Sequence, residues 1–122
     1  MYAPQPQAIP APVAMRLIGV LDEDLVEAFA AQERALVGYE AATIIVDVRD
    51  LHVLGEAEMR ALAGAVRRAR AEGRDVRLDA RSLPWRRIAK KECSPTPPVD
   101  ANLRSAVRRT VILAHSGKRR GR

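Results

Sequence analysis

The stretch from Thr43 to Gly73, TIIVDVRDLHVLGEAEMRALAGAVRRARAEG, constrains this chain more than any other. It opens on a β-branched apolar run, Thr43-Ile44-Ile45-Val46-Asp47-Val48. A short run that is apolar at successive positions suits a strand buried between two layers. After a polar turn the period changes. Met59, Leu62, Ala63, Val66 and Ala69 recur at helical spacing and describe one face of an amphipathic helix. Gly73 is placed to stop that helix. Strand, short connection, helix and glycine stop make half of a βαβ unit, around which the remaining elements can be layered.

Before it, Met15 to Val20 reads as a first strand, with Gly19 marking a bulge or the close approach of another backbone. Asp22 then offers a helix cap, and Glu23 and Asp24 sit where the helix dipole favours negative charge. The first helix buries Leu25, Val26, Phe29, Ala30, Leu36 and Val37 and ends near Gly38. After Gly73, Asp75 to Ala80 alternates apolar and polar residues, as an edge-proximal strand does. Ser82-Leu83-Pro84-Trp85 resembles a helix start, with Trp85, Ile88 and Ala89 facing inward. Cys93 to Pro98 is a proline-rich loop. Asp100 starts a final helix with Leu103, Ala106, Val107, Thr110, Val111 and Ala114 on one face. The expected fold class is α/β: a single domain over residues 13–115 with a mainly parallel sheet of about four strands and three to four helices. Residues 1–12 are expected to be a proline-rich disordered leader, and 116–122 a basic disordered tail.

A chain of 122 residues can bury a core without disulfides or metal. Its single cysteine, Cys93, excludes an intramolecular disulfide and points to a reducing, cytoplasmic setting. No apolar run approaches the length needed to span a bilayer, and the N-terminal residues lack the pattern of a secretory signal. The net charge of +6 is unevenly spread: residues 1–66 carry −6 and residues 67–122 carry +12. Such polarity either orients a charged partner or is simply a solvated surface.

Three segments in order carry a family resemblance. Leu17-Ile18-Gly19-Val20-Leu21-Asp22 resembles a strand, Gly-x-Leu-Asp, helix opening. Ile44 to Leu51 resembles a central strand ending in aspartate. Met59 to Gly73 resembles a second helix with its glycine stop, and Arg86-Arg87-Ile88 the start of a third. Together they resemble the STAS domain, the family of anti-sigma-factor antagonists and sulphate-transporter cytoplasmic domains, over about Val13 to Ala89. The family bears Asp-Ser-Ser-Gly at the start of its second helix, where the second serine is phosphorylated by a partner kinase. Here Gly55-Glu56-Ala57-Glu58 stands in that place. Ala57 has no hydroxyl to phosphorylate. Glu56 and Glu58 either mimic part of the charged state weakly or simply cap the helix. The resemblance also implies a closing strand before the last helix, where this chain reads as loop.

The expected function is therefore a non-enzymatic protein–protein interaction domain in partner-switching regulation, degenerate at the phosphoserine motif. An anti-sigma factor or GHKL-type kinase is the partner class the resemblance implies. Docking is expected through Asp22, Glu23 and Asp24 together with Leu54, Gly55, Glu56, Ala57, Glu58 and Met59. Catalytic groups, cofactors and metal sites are not expected. His52 reads as a turn residue and His115 as part of a helix face, and one Cys with two His at scattered spacing matches no zinc site. Asp47 reads as a cap on the following turn, with ligand or metal binding as its other possible role. Arg67, Arg68, Arg70, Arg74 and the cluster Arg86, Arg87, Lys90 and Lys91 keep nucleic-acid binding as the alternative. Aromatic residues are only 3% of the chain, too few for stacking platforms, which disfavours it.

Overall fold

A computed structural model describes residues 11–40, 43–93 and 97–115, of which 37–40 by their backbone alone. The elements are β1 (Val13–Leu21), α1 (Glu23–Glu40), β2 (Ile44–Val53), α2 (Glu56–Ala71), β3 (Val76–Asp79), α3 (Leu83–Glu92), α4 (Ala101–Ser105) and β4 (Arg109–His115). The four strands form one all-parallel sheet in the order β3-β2-β1-β4. The expected leader falls almost wholly, and the expected tail entirely, outside the described residues.

The strand sequences explain the layering. Val13, Met15 and Leu17 of β1, Ile44, Val46 and Val48 of β2, and Val76 and Leu78 of β3 point to one face and are buried. The two crossovers β1-α1-β2 and β2-α2-β3 advance in the same direction across the sheet. Parallel crossovers are right-handed, so both helices cover that face. Leu25, Phe29 and Leu36 of α1 and Met59, Leu62 and Val66 of α2 fill the layer. Each such fully buried side chain contributes roughly 1.5–3 kcal/mol of transfer free energy. Trp85 and Ile88 bring α3 in beside α2.

The final segment departs from the sequence expectation. Instead of one helix from Asp100 to Ala114, the chain makes the five-residue α4 and then the edge strand β4. Asp100 does cap α4, its carboxylate accepting from the Leu103 N–H at 2.8 Å. From Arg109 onward the β-branched run Thr110-Val111-Ile112 prevails. Val111 and Leu113 pack against the core while Ile112 lies 58% exposed, a period of two that helical spacing had masked. β4 pairs with β1 from Val13↔Arg109 to Gly19↔His115. His115 is therefore a strand residue, not a helical one. His52 is also in a strand, because β2 runs on to Val53 past the expected turn.

β4 can be reached only by returning across β2 and β1. That return runs over the opposite face of the sheet: Arg77 donates to the Pro98 carbonyl at 3.4 Å and Arg104 to Asp79 at 2.8 Å. This second face carries a polar row, Arg16, Asp47 and Asp79, at one level of three adjacent strands. Asp47 is thus a mid-strand residue, gripped by the Arg49 side chain at 2.9–3.2 Å, rather than a turn cap.

Several carboxylates set the acid sensitivity of the fold. Burial would raise the Asp47 carboxyl, but the Arg49 hydrogen bonds outweigh it and hold it below the usual range. At Asp75, burial is likewise outweighed by Arg77, Thr43 and Arg70. A carboxyl depressed in the folded chain contributes stability above its unfolded value, and that contribution is lost as pH falls through the folded value. Thermal melts should be level down to about pH 4.5 and then drop steeply toward about pH 2. Asp75→Asn should flatten that drop. A melting temperature unchanged down to about pH 2 would refute the assignment.

Candidate functional site at the carboxyl rim of the sheet

Open parallel sheets bind ligands and partners outside the carboxyl ends of their strands, at the point where connections leave on opposite faces. Here that point lies between β1 and β4. The connection leaving β1 covers the helical face, and the one entering β4 arrives over the other. Three features mark it. Gly19 adopts φ +113° and lies so close to β4 that a Cβ on it would fall 1.6 Å from the His115 carbonyl oxygen. His115 Nε2 lies 2.9 Å from Asp22 Oδ2. Asp22 also caps α1, accepting from the Leu25 N–H at 2.9 Å. Burial alone would raise the Asp22 carboxyl, but the Leu25 and His115 contacts hold it below its ordinary range.

The two segments nominated from sequence meet along this rim. Leu21 and Val53, the last residues of β1 and β2, are register partners. The turns that follow them, Asp22–Asp24 and Leu54–Gly55, therefore leave the sheet side by side. α2 begins at Glu56 with Gly55 as its N-cap, so Glu56 and Glu58 both stand in its first turn. Glu23, Asp24, Glu56 and Ala57 are exposed, and Glu58 is half-buried. Leu54 stands among these acids and is 62% exposed, more than any other large apolar side chain among the described residues. Met59 differs from the expectation: it is 7% exposed and packs in the core beneath the rim, so it supports this surface without lining it. Glu56 is partly offset by Arg60 at 3.3 Å, an exposed pair worth well under about 1 kcal/mol.

His115 is the rim residue that sequence reading missed, because assigning its segment to a helix placed it elsewhere. The alternation Val111, Leu113, His115 was the available signal. Carboxylate oxygens of Asp22 and Asp24 and a His115 ring nitrogen lie within 4.8 Å of one another, a donor set able to hold a cation. Both Asp22 oxygens already have partners, in Leu25 and His115. Among its described residues the site offers no Ser, Thr or Cys nucleophile.

The β3 side of the domain is basic. Arg86, Arg87, Lys90 and Lys91 are exposed on α3, and none of them forms an ion pair among the described residues. Trp85, beside them in sequence, is 6% exposed and points into the core, so among the described residues this face presents no aromatic ring for base stacking. Cys93 is buried and its thiol lies 3.4 Å from the Ala63 carbonyl; burial pushes its pKa up, which disfavours the thiolate. No helix among the described residues is long and apolar enough to cross a membrane. No family model, curated protein or solved structure matches the chain.

Proposed function

We propose that the chain is a non-enzymatic regulatory domain that docks a protein partner on its acidic rim, in the manner of a STAS-like antagonist that cannot be switched by phosphorylation at Ala57. The observation that supports this most is the register pair Leu21↔Val53, which brings Asp22–Asp24 and Leu54–Glu58 onto one edge. An apolar residue ringed by charge is the usual composition of a docking patch, with the apolar anchor supplying affinity and the charges orientation. The partner class is a basic surface on an anti-sigma factor or GHKL-type kinase, and the setting is the reducing cytoplasm. Ala57 is exposed in the first turn of α2 and offers no hydroxyl, so binding is constitutive.

The test is capture of this chain by a cognate ATP-binding anti-sigma protein. Glu56→Arg combined with Glu58→Arg should weaken capture roughly 10–100-fold through like-charge repulsion. The melting temperature should scarcely change, because surface substitutions usually shift stability by about 0.5 kcal/mol or less. Unaltered capture by the double variant would remove the rim from the interface.

A further inference from the structure

A cleft of about 750 Å³ opens along the β3 edge of the sheet, between α3 and the return segment at Pro97, Pro98 and Val99. It shares no residue with the acidic rim, and its volume is that of a small-molecule site. Its walls are apolar: Leu78 and Ala80 on the sheet side, Ala89 on α3, and Pro97, Pro98 and Val99 opposite. Its charged groups are four cations, Arg81, Arg86, Lys90 and Arg104, against one carboxylate, Asp79.

That carboxylate organises the cations. Asp79 is 2% exposed and accepts from Arg104 at 2.8 and 3.0 Å and from Arg81 at 3.1 Å. Two guanidinium groups are thereby pinned at one buried carboxylate, leaving a surplus positive charge. Among the described residues Arg81 commits only its Nε, leaving both its terminal nitrogens available, and Arg104 keeps one. Arg86 donates only to the Arg81 carbonyl at 3.2 Å, and Lys90 makes no ion pair among the described residues. The same triad borders a hollow of about 180 Å³ on the open sheet face, where Arg49 is already paired with Asp47 and Arg16 with Asp50, so the surplus charge stays at Arg81 and Arg104. Cations held in place by a buried partner lose little freedom on binding. Planar guanidinium donors suit an oxyanion with several acceptor oxygens.

We propose that this cleft binds a small amphipathic anion: a phosphate or sulfonate carried on an aromatic or alkyl body. The oxyanion sits on Arg81 and Arg104, the apolar body lies along Leu78, Ala89 and the prolines, and Arg86 and Lys90 close the field at the mouth. This site is independent of the rim and of any partner bound there.

The probe is 1-anilinonaphthalene-8-sulfonate, titrated at low salt by fluorescence against the intact chain, with N-phenyl-1-naphthylamine as its uncharged counterpart. The sulfonate should bind saturably at one site and roughly tenfold or more tighter than the neutral dye. Decyl phosphate should displace it, and inorganic phosphate should do so only at far higher concentration. Arg86→Glu combined with Lys90→Glu should weaken binding roughly tenfold or more, whereas Arg34→Glu on α1 should leave it unchanged. A cooperative melt of every variant excludes dye binding to a partly unfolded chain. Non-saturable binding, equal affinity for the neutral dye, or insensitivity to the charge reversals would overturn the proposal. So would displacement by a short oligonucleotide at lower concentration than decyl phosphate, which would assign the cleft to nucleic acid.

Discussion

Gly19→Ala should destabilise the domain by about 3 kcal/mol or more and lower its melting temperature by roughly 10 °C. Two independent effects act at this position. The backbone sits at φ +113°, outside the range an L side chain readily adopts, and the new Cβ would fall 1.6 Å from the His115 carbonyl oxygen. The obstructing atom is backbone in a paired strand, so it cannot rotate away. β4 must move, and the Asp22–His115 contact goes with it. Amide exchange should therefore accelerate first along Val111–His115 and in the first turn of α1. Gly64→Ala is the internal comparison. Gly64 lies inside α2, and its added Cβ would meet only the ends of Arg68 and Arg67 at 3.5 and 3.8 Å. It should be neutral or stabilise by up to about 1 kcal/mol. Equal responses at the two glycines would show that β4 does not pack against β1 as described.

Arg74→Ala should cost about 3–5 kcal/mol, the penalty for leaving a buried charge without its partner. Glu33 lies on α1 and is 1% exposed, and Arg74 grips both of its carboxylate oxygens, at 2.5 and 2.9 Å. The aim of Arg74 is set by how α2 ends. The Gly73 N–H donates to the Arg70 carbonyl and the Arg74 N–H to the Ala69 carbonyl, at 2.9 and 3.2 Å, a Schellman closure with Gly73 at φ +93°. The turn thus points Arg74 back at the neighbouring helix, where it ties α1 to α2. Glu33→Leu combined with Arg74→Leu should recover most of the loss, because a buried pair replaced by packed apolar groups is often neutral. Chemical denaturation of both variants measures this. If the double variant is as unstable as Arg74→Ala, the ion pair itself holds the helices together; if Arg74→Ala is silent, Glu33 is not buried as a charge.

Legibility in the sequence followed the locality of the forces. The Ile44 strand, the helix from Glu56 to its glycine stop, and the half-buried alternation after Asp75 were all readable, because burial pattern and capping act over a few residues. Gly19 announced either a bulge or a close approach of backbone; the structure shows the approach, and its partner, His115, could not be named from sequence. The segment after Asp100 was misassigned because Leu103, Val107, Val111 and Ala114 fit a helical period as well as Val111, Leu113 and His115 fit a strand. In such a tie, the available edge of β1 decided. Met59 was nominated for the surface because it adjoins exposed acids in sequence, but helical rotation turned it inward. The cleft at the β3 edge was not readable at all. Two of its cations, Arg86 and Lys90, were visible in a cluster, yet Arg81 and Arg104 were not, and Asp79, which pins those two, gave no sign of being buried.

The order of amino acids alone determined the strands and helices up to α3, the glycine stop of α2, and that a mainly parallel sheet must join them, since these rest on neighbours and on hydrophobic period. Only the folded chain decided that the last strand lies beside the first. That placement puts His115 against Asp22, and it carries the return segment across the open face with Arg104 set beside Arg81. The physical reason is that strand order and side-chain pairing across roughly 25 to 90 residues depend on which edges and faces remain unfilled once the local elements have packed.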